Sequence, residues 1–81
     1  MLYNPDLPLK VDSEASSTGL GAVLSQILPN GEERPVEYIS RSLSPAETRY
    51  AQIDREGLAI VWAIKRFHIY VYGREFTLLI T

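Results

Sequence analysis

Apolar and polar residues alternate with period two over the first half of the chain. Leu7, Leu9 and Val11 fall on one side of an extended segment and Lys10, Asp12 and Glu14 on the other, the pattern of a strand with one buried face. Pro8 suits the entry of such a strand rather than its centre, and Ser16-Ser17-Thr18-Gly19 reads as a turn. A second strand carries Leu20, Ala22 and Leu24 on one face, with Val23 and Ile27 less regularly placed. Pro29-Asn30-Gly31 follows, and Asn-Gly between two strand-like runs is a strong hairpin signal because both residues tolerate positive φ. The return strand sets Val36, Tyr38 and Ser40 against Glu37 and Ile39. Three such strands in succession form an antiparallel meander.

The period then changes to that of a helix. Ser44-Pro45-Ala46-Glu47 combines an N-cap serine, a proline suited to the first helical position and a glutamate that completes a capping box. The helical pattern persists to Tyr72, with Gly73 as the C-terminal stop. An unbroken helix of that length would span about 42 Å at roughly 1.5 Å per residue, too long for so small a domain. A break is therefore expected near Ile53-Asp54, with Asp54 as a second cap and Gly57 weakening the helix nearby. From Leu58 to Ile64 every residue is apolar, and Phe67, Ile69 and Val71 continue the pattern, so this helix calls for cover on more than one side. The final run is apolar on both faces, with Phe76, Leu78 and Ile80 on one and Leu79 on the other, as in a central strand. It stops at Thr81 without a closing turn, which reads as a domain cut short. The segments predicted are strands at about 7–13, 20–28 and 33–40, helix over 45–72 and a strand at 75–81, in one α/β domain over 1–81.

Composition narrows the picture without naming a function. The chain has 81 residues, 46% hydrophobic and 22% charged, a globular balance with room for one small domain. No apolar run approaches the roughly 18 residues of a membrane span, so no membrane partner is expected. The N-terminal residues lack the basic and apolar regions of a secretory signal. The absence of cysteine excludes disulfides and thiolate metal sites and favours a reducing, intracellular compartment. His68 is the only histidine, so a His-rich zinc site cannot form within one chain. The net charge is −2, whereas a freestanding nucleic-acid binder carries a basic excess. A tethered neighbour or a metal would have to offset that charge.

Two sets of carboxylates are candidates for chemistry. Glu56 heads the stripe Glu56-Ala59-Ile60-Ala63-Phe67, whose other members are apolar, so its side chain leans toward the buried side. A first-turn acid favouring the helix dipole would explain it equally well. Asp12 and Glu14 share one face of the first strand and also read as solvated strand-end acids. Brought together, acids from a strand end and a helix start suit Mg2+ or Mn2+. His68 reads as an ordinary helix residue. Trp62, Tyr38, Tyr50, Tyr70 and Tyr72 read as packing rather than base-stacking groups. Arg41, Arg49, Arg55, Lys65, Arg66 and Arg74 could line a nucleic-acid-binding surface, but their even mix with acids reads mostly as a solvated face. Ser13, Ser16 and Ser17 have no base or oxyanion motif beside them.

Longer motifs carry a family resemblance. Asp12-Ser13-Glu14-Ala15-Ser16, Gly19-Leu20-Gly21-Ala22-Val23-Leu24-Ser25-Gln26, Arg34-Pro35-Val36-Glu37-Tyr38-Ile39-Ser40-Arg41-Ser42-Leu43 and Glu56-Gly57-Leu58-Ala59-Ile60-Val61-Trp62-Ala63 resemble the RNase H domain that follows reverse transcriptase in gypsy-like LTR retrotransposons. Pro5-Asp6 upstream and Tyr70-Val71-Tyr72-Gly73-Arg74-Glu75-Phe76-Thr77 downstream fit the same pattern. The resemblance covers almost the whole chain in order and implies an RNase H-like mixed α/β sheet. In it a meander and a helical crossover lead to a fourth strand parallel to the first.

The resemblance also implies hydrolysis of the RNA strand of an RNA–DNA hybrid through two divalent ions, Mg2+ or Mn2+, held by carboxylates. It implies a reverse transcriptase domain upstream in the same Pol polyprotein, and a cytoplasmic retroelement particle or the nucleus as location. The first catalytic, metal-ligating acid of the pattern falls on Glu14 and the second on Glu56, with Asp12 as a further metal candidate. Position 14 departs from the pattern, which has aspartate there, and the next acid would lie immediately after Thr81. On this reading the 81 residues alone are inactive and self-associate through surface that a missing C-terminal part would cover. A spacer or interaction module without activity is the alternative.

Overall fold

The computed structural model describes residues 6–72 and 76–80, with the side chains of residues 76, 77, 79 and 80 left aside. Three antiparallel strands come first: β1 (Leu9–Ala15), β2 (Gly19–Ile27) and β3 (Glu33–Ser42). After a helical crossover, β4 (Phe76–Ile80) pairs in parallel with β1, giving the sheet order β3-β2-β1-β4. The mixed α/β sheet implied by the resemblance is the one observed. Strand β1 begins and ends two residues later than the alternation suggested, so Glu14 lies within the strand, and β3 runs two residues further to Ser42. Tyr72 is the last residue described before β4. The stop expected at Gly73, the strand start at 75 and Thr81 lie outside the described residues.

Both hairpins close on specific bonds. In the first, the backbone N–H of Ser16 donates to the Gly19 carbonyl at 2.9 Å, while the Ser16 hydroxyl accepts from the Thr18 and Gly19 amides. In the second, the Gly31 amide donates to the Leu28 carbonyl at 2.8 Å. Among the described residues only Gly31 takes a positive φ, at 87°, so the paired positive-φ turn expected from Asn-Gly does not form. Pro29, with φ fixed near −65°, favours an ordinary turn followed by a left-handed glycine. Asn30 instead accepts a hydrogen bond from Glu32 through its side-chain carbonyl.

The helical segment departs most from expectation. The capping box forms as the sequence spells it: the Glu47 amide donates to the Ser44 hydroxyl at 3.2 Å, and the Ser44 amide to Glu47 Oε1 at 2.9 Å. It caps a three-residue 3₁₀ turn, Glu47–Arg49, rather than a long helix. The helix α1 (Gln52–Arg66) follows, then the single turn α2 (His68–Val71). The first break therefore falls at Tyr50 and Ala51, both extended, and not at Ile53-Asp54. Asp54 sits in the first turn of α1, and the residue at the N-cap is Ala51, which makes no side-chain cap. A second break at Phe67 separates α2.

Helix α1 lies on one face of the sheet. Ala59, Ala63 and Phe67, spaced four apart, are fully buried and meet Leu9, Val11, Ala22, Leu24 and Leu20 from β1 and β2. The two alanines allow close approach, and Phe67 fills the space beyond them. Leu43, Leu58 and Trp62 extend this core toward the turn between β1 and β2, and Leu78 joins it from β4. The outer side of the helical segment leaves Ile53, Val61 and Ile69 exposed. Strands pair so that facing residues share a side. The opposite face of the sheet therefore presents Lys10, Asp12 and Glu14 from β1, Gly21 and Val23 from β2, and Tyr38 and Ser40 from β3.

Candidate active site at the end of β1

Three elements converge on the C-terminal end of β1. Glu14 is exposed on the open face, directly across from Gly21 on β2, which in turn faces Ser40 on β3. A groove of about 850 Å³ runs beside it over the open face, lined by Glu14, Ser16, Thr18, Gly21, Tyr38 and Ser42 among others. Tyr38, read from the sequence as a packing residue, is 64% exposed at the wall of this groove. Its partner across the sheet is Val23 on the open face, so no core is available to it.

Glu56 approaches the same strand end from the covered side. It is half-buried in the second turn of α1, as its place in an apolar stripe suggested. Gln52 ties it to β1, because the Gln52 side-chain amide donates to the Ala15 carbonyl at 3.1 Å and to Glu56 Oε1 at 3.4 Å. Arg55 fixes which way that amide points. Its guanidinium donates to Gln52 Oε1 at 2.6 Å and to the Tyr50 carbonyl, leaving the Gln52 nitrogen turned toward β1 and Glu56. Gln52 was not singled out in the sequence, and Arg55 was read there only as part of a basic, solvated set. The available signal was the i,i+4 spacing of Gln52 and Glu56, which places both on one side of a helix.

The path of the chain into α1 is held by an ion pair. Arg41 on β3 donates through both terminal nitrogens to the Glu47 carboxylate, at 2.8 and 3.0 Å. This pair lowers the Glu47 pKa to about 2, first through the Arg41 hydrogen bond and then through the Ser44 backbone N–H. The same contact raises the Arg41 pKa. A bidentate Arg–carboxylate pair fixes direction as well as distance. Here it anchors the 3₁₀ turn to the sheet and so sets where Gln52 and Glu56 start.

Glu14 thus stands next to Ala15 in β1, and Glu56 is linked through Gln52 to the Ala15 carbonyl. Asp12 shares the open face with Glu14 but lies two residues back toward the start of the strand, 3.8 Å from the Lys10 ammonium. Lys10 is bonded more closely to Glu33, at 2.8 Å, and its pKa is raised chiefly by that bond. Among the described residues, no group of three or more His, Cys, Asp or Glu side chains converges as a metal site. No helix among them is long and apolar enough to cross a membrane.

Comparison with known proteins sharpens this geometry. Residues 1–78 match the family model described as an RNase H-like domain found in reverse transcriptase. The chain is 46% identical over 78 residues to the retrovirus-related Pol polyprotein from transposon 297 of Drosophila melanogaster, covering 94% of the chain and 7% of that polyprotein. It is 44% identical over 75 residues to the Pol polyprotein from transposon gypsy of the same organism, covering 90% of the chain and 7% of the relative. Among solved structures, a foamy viral protease-reverse transcriptase in complex with an RNA/DNA hybrid matches with a TM-score of 0.72 at 16% identity. That match covers 94% of this chain and 10% of the viral one. The chain therefore spans less than a tenth of the length of these Pol relatives.

Proposed function

The chain belongs to the RNase H-like domains found in reverse transcriptase, and from that premise we propose that it serves a Pol polyprotein by acting on the RNA strand of an RNA–DNA hybrid, with Glu14 and Glu56 as metal ligands. The observation that supports this reading is the Gln52 amide, which bonds both Glu56 on α1 and the carbonyl of Ala15, the residue next to Glu14 in β1.

The donor set suits a hard divalent cation. Magnesium is commonly held by one or two carboxylates, with water and substrate phosphate completing its shell. Glu14 and Glu56 would be the protein ligands, and the remaining donors come from water, from the hybrid, or from elsewhere in the polyprotein. When bound, such an ion supplies Lewis-acid activation of a water and stabilisation of the leaving oxygen. The chain's own residues supply position. Gln52 and Arg55 orient Glu56, and the Arg41–Glu47 pair directs the connection that carries it. Asp12, beside Lys10 and further from the end of the strand, is the weaker candidate. With a net charge of −2, the domain does not contribute a general attraction for phosphate, so grip on the hybrid falls to the reverse transcriptase region of the same polyprotein.

Cleavage of a labelled RNA–DNA hybrid, measured with the domain in its polyprotein and Mg2+ or Mn2+ present, tests the reading. Glu56→Gln is expected to reduce cleavage by about a hundredfold or more. Full activity in that variant contradicts the assignment. Cleavage that appears only when Glu14→Asp is introduced would assign the native domain to spacing or guiding the hybrid instead.

A further inference from the structure

The outward side of α1 carries a row of residues that neither the core nor the candidate site uses. Asp54, Leu58, Val61 and Lys65 stand at i, i+4, i+7 and i+11, so they fall on one strip, turned away from the buried stripe of Ala59, Ala63 and Phe67. Asp54, Val61 and Lys65 are exposed, and Leu58 is half-buried, packed in part against the core. Val61 is 51% exposed, although a β-branched residue is a poor choice for the solvent side of a helix. Neither Asp54 nor Lys65 forms an ion pair among the described residues. The helix dipole accounts for an acid in the first turn and a base in the last. It does not account for their lying in line with Leu58 and Val61.

The row is complementary to itself read backwards. Acid, apolar, apolar, base in one direction meets base, apolar, apolar, acid in the other, about a single centre between Ala59 and Ile60. We propose that this strip of α1 is the contact surface for a second copy of the chain, the two helices packed antiparallel about a two-fold axis at that centre. The interface is isologous, so each copy sets Asp54 against the partner's Lys65 and Leu58 against the partner's Val61. The two ion pairs stand roughly 16 Å apart along the helix, at about 1.5 Å per residue, and bracket an apolar middle. Charge fixes the direction, because a parallel pair would set Asp54 against Asp54 and Lys65 against Lys65. The inference is independent of the metal reading, since the strip lies on the side of α1 opposite Glu56.

Sedimentation equilibrium of the 81-residue chain at low salt, from micromolar to millimolar concentration, is expected to show a monomer–dimer equilibrium. Asp54→Lys and Lys65→Asp each set like charges against one another at both symmetry-related pairs, and each is expected to weaken association about tenfold or more. An equimolar mixture of the two variants, with α1 intact in both by circular dichroism, restores both pairs and is expected to form the heterodimer. The chain has no cysteine, so Val61→Cys, beside the axis, is expected to give a disulfide-linked dimer on mild oxidation. Ile53→Cys is not, because its two copies would stand roughly 20 Å apart along the helices, beyond the reach of a disulfide. A native chain that stays monomeric over the whole range overturns the proposal and leaves the strip to a different partner. A dimer that neither reversal weakens, a mixture of intact variants that stays monomeric, or cross-linking through Ile53→Cys instead of Val61→Cys overturns it as well.

Discussion

On the face covered by α1, the strands place Leu9, Val11, Ala22 and Leu24 under Ala59, Ala63 and Phe67. On the other face, the same strands present Asp12, Glu14, Gly21, Tyr38 and Ser40. Neighbours in sequence thus serve opposite ends. Ser13 is buried and Glu14 exposed, and Ala22 packs in the core while Gly21 lies across from Glu14. The contrast teaches that stability and chemistry are divided by strand parity, so substitutions one residue apart have effects of different kinds. Helix α1 joins the two sides, because its apolar stripe binds the sheet while Gln52 and Glu56 reach the end of β1.

The covered face carries the largest effect. Phe67 is fully buried and fills the space between helix and sheet. Phe67→Ala is expected to cost about 3–5 kcal/mol in denaturant unfolding, most of the stability of so small a domain. Glu14→Gln, on the open face, is expected to change stability by less than about 0.5 kcal/mol. Comparable losses from the two would break the division between the faces.

The Arg41–Glu47 pair gives an effect of intermediate size with a definite pH dependence. Glu47 has its pKa lowered from 4.5 to about 2 in the folded chain, so its contribution is complete above the unfolded value. That contribution fades as pH falls from about 5 toward 2. Melting temperatures of the native chain and Glu47→Gln are expected to differ most above pH 5 and to converge near pH 2. A difference that stays constant over that range would show that the pair does not anchor the 3₁₀ turn. The smallest effect belongs to Ser13, whose hydroxyl is buried among core residues with no hydrogen-bond partner among the described residues. Ser13→Ala is expected to leave stability unchanged or raise it by up to about 1 kcal/mol, since it removes an unpaired polar group. A clear loss would mean that the hydroxyl has a role on the covered face.

Much of this was legible in the sequence where a residue's neighbours along the chain decide its position. The alternation in β1 and the stripe Ala59-Ala63-Phe67 placed the core, and Ser44 with Glu47 wrote a capping box that forms. The helix it was expected to start is interrupted at Tyr50-Ala51, because Glu47 is also held by Arg41 from β3, a partner that local pattern does not reveal. Tyr38 was misplaced for a related reason. Its hydrophobic character suggested packing, yet register assigns it to the open face. Glu14 and Glu56 were visible as candidates through the family resemblance. The role of Gln52 was not, since its bond to the Ala15 carbonyl exists only after β1 and α1 have come together.

The most direct test of the central claim, that the end of β1 is where a divalent ion is held, is paramagnetic broadening of amide signals by trace Mn2+ in the isotopically labelled chain. Selective broadening of residues 12–16 and 52–56, lost in both Glu14→Gln and Glu56→Gln, is the predicted result. Broadening centred on the acidic stretch of Glu32, Glu33 and Glu37, with the end of β1 unaffected, would contradict it.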